Sequence, residues 1–134
     1  MTSGRPVIAP HALRDYAFIA DGERGALIDP GGGLAWMCFP GWADPAVLAG
    51  LLGSGGRYQV GPVGRWVPGG AYEDGTLIWR SRWVTDDGIL ECREALACPS
   101  APDRALVLRQ VKAVDGAHRV HAVLGLAADY GRRP

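Results

Sequence analysis

Paired carboxylates are the first residues in this sequence that could do chemistry, because general acid and base work needs two of them on one surface. The candidate pairs are weak. Asp86 and Asp87 precede Gly88 in a hairpin signal, where aspartate is expected for backbone reasons. Glu91 and Glu94 are three apart on a strand-like segment and so point to opposite faces. Asp15 and Asp21 bracket one apolar run and could flank a turn, where either could serve a small enzyme. His118 and His121 fall on opposite strand faces, and His11 is remote in sequence, so no metal site is expected. Cys38, Cys92 and Cys98 are odd in number and lack Cys-x-x-Cys spacing; reduced thiols are expected. Serines are few, none lies in a Gly-x-Ser-x-Gly setting, and Gly53-Ser54-Gly55-Gly56 lacks the lysine of a phosphate-binding loop. No cofactor is expected.

Tryptophans carry more information. Trp79 and Trp83 share one strand face with Ser81 between them. They read either as sandwich core or as a flat platform for stacking on a sugar ring. Trp42 lies in a loop, a common place for an aromatic that meets a ligand or a neighbouring domain.

The elements that must position these residues follow from composition and pattern. A length of 134 residues is about one domain, and no linker divides 1–134. Fourteen basic and fourteen acidic residues cancel, which disfavours nucleic-acid or membrane-surface binding through a strong field. No apolar run approaches the roughly 18–20 residues of a membrane span, and Met1–Pro10 lacks a secretory pattern, so a cytoplasmic location is expected. Twenty glycines and ten prolines require many turns and short elements, which favours β structure.

Residues 16–20 and 25–28 flank Asp21-Gly22 as a hairpin, and Leu34–Phe39 reads as a buried strand. Asp44-Pro45 supplies an N-cap and a first-turn proline, predicting one short helix that stops at Gly53. Residues 57–67 hold two short strand-like pieces, and 68–75 read as turn. Thr76–Thr85, Ile89–Cys98, Ala105–Val114 and His118–Ala128 then read as a meander of four long antiparallel strands. Such strands need a second layer over their apolar face, which the first 67 residues can supply. The expected architecture is all-β, an antiparallel sandwich with one short helix.

Beside this reading stands a resemblance. Asp15-Tyr16-Ala17-Phe18-Ile19-Ala20-Asp21, Ala26-Leu27-Ile28 and Gly33-Leu34-Ala35-Trp36-Met37-Cys38-Phe39-Pro40 resemble the opening of bacterial glycoside hydrolase family 15 proteins, the glucoamylase-like, glucodextranase-like and trehalase-like enzymes. Pro45–Gly53, Gly75-Thr76-Leu77, Asp87-Gly88 and Ala128-Asp129-Tyr130-Gly131-Arg132 continue the likeness in order. The resemblance implies a supersandwich-like N-terminal β-domain without catalytic residues of its own. Its partner would be an (α/α)6 barrel that carries two glutamates and hydrolyses an α-glucosidic bond or trehalose with inversion. It implies a weak substrate-binding role for Trp42. Where the family has Pro-Arg-Phe-Asp-Ser-Pro, this chain has Pro40-Gly41-Trp42-Ala43-Asp44-Pro45, so both polar groups able to reach a sugar are replaced. Two further expectations remain. One is a free-standing carbohydrate-binding module using Trp79 and Trp83. The other is a homodimer through an unfinished sheet edge, which is a template for strand pairing.

Overall fold

The structure is a computed structural model that describes residues 11–53 and 55–129. Two antiparallel sheets form its body. The first contains β1 (Ala17–Ala20), β2 (Gly25–Ile28), β3 (Gly33–Cys38), β4 (Ala46–Leu48), β5 (Arg57–Pro62) and β10 (Val120–Gly125). Its order is β1-β2-β3-β5-β10, with β4 also paired to β3. The second sheet runs β6-β7-β8-β9, with β6 Trp66–Tyr72, β7 Trp79–Thr85, β8 Gly88–Leu96 and β9 Val107–Asp115. The all-β sandwich read from the sequence is the observed architecture.

Period-two patterning explains the packing. On β7, Ser81 and Trp83 are buried while Arg80, Arg82 and Val84 are exposed, as alternation requires. Ile19, Ile28, Leu34, Met37, Leu48 and Leu96 form one part of the core. Trp83, Leu90, Cys92 and Val60 form another. The Trp83 indole N–H donates to the Pro30 carbonyl at 2.8 Å, so the ring is buried without an unsatisfied donor. The turn above it needs glycine: Gly32 has φ +86° and lies against the Val60 carbonyl, where a side chain has no room.

Four expectations are corrected. The helix expected from Asp44 to Gly53 is instead strand β4 followed by a 3-10 turn, Gly50–Leu52. A segment of about eight residues is too short to nucleate a helix well, whereas β3 offers a free edge that pairs Met37 with Leu48 and Cys38 with Ala46. Ala46 and Leu48 are thereby fully buried. The cap signals act locally. The Asp44 carboxylate accepts from the Gly41 amide at 2.8 Å, and Gly53 closes the 3-10 turn with φ +70°.

The four-stranded meander is also revised, because its fourth strand leaves the sheet. Gly116 packs against the Asp87 carbonyl in the β7–β8 turn, and the Val63 amide donates to the Arg119 carbonyl at 3.1 Å. The chain is thus drawn across to β5, and β10 pairs there from Val120↔Pro62 to Gly125↔Arg57. The strand expected from Thr76 begins at Trp79, because Glu73–Thr76 forms a turn closed by Thr76 N–H to Glu73 O at 3.1 Å. The stretch 68–75 read as turn is mostly strand β6, an edge strand that tolerates Pro68 and two glycines.

Candidate functional site

Three loops meet at one end of the sandwich, and a buried ion pair holds them. Arg24 and Asp21 sit in the β1–β2 hairpin with side chains 0% and 1% exposed, and the Arg24 guanidinium is 2.8 Å from the Asp21 carboxylate. The same carboxylate accepts from the Glu23 and Arg24 amides at 2.9 and 3.0 Å. Arg24 Nε donates to the Pro40 carbonyl at 2.6 Å, Nη1 to Arg104 at 2.7 Å and Nη2 to Ala101 at 2.6 Å. The Asp21 carbonyl accepts from Ser100 Oγ at 2.9 Å. The planar fork of arginine suits this task, because it presents several donors at once in fixed directions.

Trp42 stands on this braced end. It is 55% exposed and stacks on Phe18, with ring centroids 5.7 Å apart and planes 26° apart. Its ring lies over Gly25, where a Cβ would overlap the ring edge. A flat exposed aromatic face on a rigid loop base can stack on the apolar face of a sugar or pack on another protein surface.

Trp79 and Trp83 form no such surface. Trp83 is fully buried, and Trp79 is half-buried, edge-on to Tyr72 with centroids 4.9 Å apart. The Trp79 indole N–H donates to Ser81 Oγ at 3.0 Å. The shared face is the inside of the sandwich, so the sugar-platform reading has no accessible pair of rings.

The carboxylates are engaged elsewhere. Asp21 is in the arginine brace, while Asp15 is exposed on a 3-10 turn at the N-terminal side of β1. Asp86 faces Arg65 at 3.2 Å. Glu91 faces Arg82 at 3.6 Å on the outer surface. Glu73 is held by Arg80 and Arg93, and the Arg93 hydrogen bond sets its carboxyl below the usual range. Glu94 points the other way from Glu91, into the sandwich. It accepts from Arg109 Nε at 3.0 Å, from Arg109 Nη2, and from Ser81 Oγ at 3.4 Å. Arg109 also donates to the carbonyls of Tyr58 and Gly32, and so ties the two sheets together.

His118 bonds the Asp115 carbonyl and Thr85 Oγ1, whereas His121 lies on the opposite face of β10 from Ala122. Among the described residues no group of three or more His, Cys, Asp or Glu is gathered for a metal. No helix among them is long and apolar enough to cross a membrane.

The trehalase-like N-terminal family model matches residues 9–132, nearly the whole chain. The chain belongs to this family. A trehalase of Mycobacterium tuberculosis is 37% identical over 99 residues, which are 72% of this chain and 15% of that protein. The chain therefore spans only a small part of its curated relative. No solved structure matches it significantly.

In this trehalase-like N-terminal domain the arginine brace leaves no mark in the sequence. A lone arginine beside a hairpin carries no signal of the loops it will meet. The Glu94–Arg109 pair did leave a signal: each charge interrupts an inward-facing apolar series, Leu90-Cys92-Glu94-Leu96 and Val107-Arg109-Val111, at positions that pair in register.

The thiols of the domain differ sharply. Burial pushes Cys92 up to about 12 and also raises Cys38, whereas Cys98 is exposed. Alkylation of the native protein followed by peptide mass mapping is expected to modify Cys98 first. Modification of Cys92 at a comparable rate would contradict its place in the core.

Proposed function

We propose that this chain is the N-terminal β-domain of a glycoside hydrolase acting on trehalose or a related α-glucoside. A barrel of the glycoside hydrolase family 15 type would supply the two catalytic carboxylates and invert the anomeric centre. The domain packs on that barrel, and the loop end bearing Trp42 shapes the mouth of its active site. The family match over residues 9–132, together with a relative named trehalase, carries the reading. Trp42 supports its geometric part, being an exposed aromatic on a base braced by Arg24.

The test is hydrolysis of trehalose by the complete polypeptide, with the first-formed anomer of glucose followed by NMR. Inverted product is expected, and the 134-residue chain alone should release no glucose. Trp42→Ala in the complete polypeptide is expected to raise KM several-fold, the scale of about 0.5–1.5 kcal/mol for one stacked aromatic contact. Hydrolysis by the isolated chain would overturn the assignment. An unchanged KM would remove Trp42 from the substrate mouth.

A further inference from the structure

Trp42 is more than half exposed, yet both its backbone and its ring are fixed. Its backbone lies in a turn closed twice. The Asp44 amide donates to the Gly41 carbonyl at 3.2 Å, and the Gly41 amide donates to the Asp44 carboxylate at 2.8 Å. The base of the loop is closed by the Phe39 amide, which donates to the Pro45 carbonyl at 3.3 Å. Arg24 Nε holds the Pro40 carbonyl from the neighbouring hairpin.

The ring has a seat of its own. Phe18 lies stacked against it, and the Phe18 amide is in turn held by Tyr72 Oη of β6 at 2.8 Å. Beside Phe18 the seat is bare, because residue 25 has no side chain. Ala20 pairs with Gly25 and Phe18 with Leu27, so Gly25 and Phe18 lie on the same face of the sheet. A Cβ on Gly25 would overlap the rings of both Trp42 and Phe18. No turn requires this glycine. It lies within β2, and its φ is outside the left-handed region. The close approach of the Trp42 ring is what explains it.

We propose that Gly25 is a positioning residue for substrate binding: by carrying no side chain it lets Trp42 lie along Phe18, and so fixes the face on which a sugar ring stacks. The proposal rests on the reading that the Trp42 end lines an active-site mouth. The neighbours of Trp42 in the turn, Gly41 and Ala43, bring no polar side-chain group, and the Asp44 carboxylate is engaged by the Gly41 amide. The turn therefore recognises the apolar face of a pyranose by stacking, and the orientation of one ring is its main contribution. A ring fixed before the ligand arrives loses little conformational freedom on binding.

The experiment uses the complete polypeptide with trehalose as substrate. Gly25→Ala adds only the methyl group that the seat excludes. Phe18→Leu keeps an apolar side chain but removes the flat face, and it reads the same seat should the first variant not fold. Each is expected to raise KM about two- to ten-fold with kcat unchanged. In a Trp42→Ala background neither should change KM further, because the ring they position is gone. Incorporated fluorotryptophan gives a readout independent of turnover: the fluorine resonance lost in Trp42→Ala should shift in both variants. An unchanged KM would overturn the proposal. So would a KM that rises as much in the Trp42→Ala background, since a merely structural fault does not need Trp42. A resonance that stays in place would overturn it as well. Trp42→Ala separates the two claims. If it raises KM while Gly25→Ala and Phe18→Leu do not, this inference alone fails. If the complete polypeptide does not hydrolyse trehalose, or Trp42→Ala leaves KM unchanged, the functional reading fails and takes this inference with it.

Discussion

Arg24→Met is expected to destabilise the domain by about 3–5 kcal/mol, because it leaves the Asp21 carboxylate buried without its cation. Both side chains are essentially inaccessible, so solvent offers little screening. The substitution also removes the donors to Pro40, Ala101 and Arg104, three carbonyls on two separate loops. Urea denaturation would read the loss as a lower midpoint, and tryptophan fluorescence would report release of Trp42 from Phe18. Arg24→Lys keeps a charge but not the planar fork, so most of the loss should persist. A loss below about 1 kcal/mol, the scale of an exposed ion pair, would show that the three loops do not depend on this brace. The pair is not thereby a large net source of stability, since replacing both partners with apolar groups can be nearly neutral. What it contributes is one fixed arrangement of loops around Trp42.

Arg109→Met is expected to cost a similar amount at neutral pH, and the cost should depend on pH. Burial pushes the Glu94 carboxyl above its ordinary value, outweighing Arg109, Cys92 and Ser81, which pull it down. A folded-state value above the unfolded one means that the native chain holds a proton the unfolded chain has released. The contribution of Glu94 is therefore complete below the unfolded value of 4.5 and is lost as pH rises through the folded value. Removing Arg109 takes away its strongest opposing influence, which shifts Glu94 further up and steepens that loss. Relative to the unsubstituted chain at each pH, the variant should lose about 3–5 kcal/mol near pH 7 and less as pH approaches 4. A pH-independent part will remain from the lost bonds to Tyr58 and Gly32. Glu94→Gln in the Arg109→Met background should recover stability at neutral pH and flatten the profile. Equal losses across this range would mean that ionisation of Glu94 is not what Arg109 opposes.

Much of the fold was legible because strand alternation is a local property. Trp79–Thr85 alternates in the sequence and in its burial. Asp21-Gly22 and Asp87-Gly88 turn the chain where their chemistry requires, at Ala20↔Gly25 and Thr85↔Gly88. The segment Ala46–Leu52 misled because its caps and apolar residues suit a short helix as well as a strand. The free edge of β3, contributed by residues Met37 and Cys38, decided between them. The departure of β10 from the second sheet was illegible for the same reason. Its alternation is right for a strand, but the choice of partner lies with β5, more than fifty residues away.

The site divides along the same line. Trp42 reads as a loop aromatic, and its ring is exposed in the structure. Its support by Phe18, Gly25 and the Arg24 brace depends on residues brought together from strands β1 and β2 and from three loops. The β class, most strand faces and the tight turns are written into local order, since they depend on side-chain period and on backbone preferences a few residues apart. Which strands are neighbours, which charges are buried together and which apolar faces stay open are settled by the folded chain as a whole. Those outcomes depend on contacts between distant segments, and no local preference encodes them.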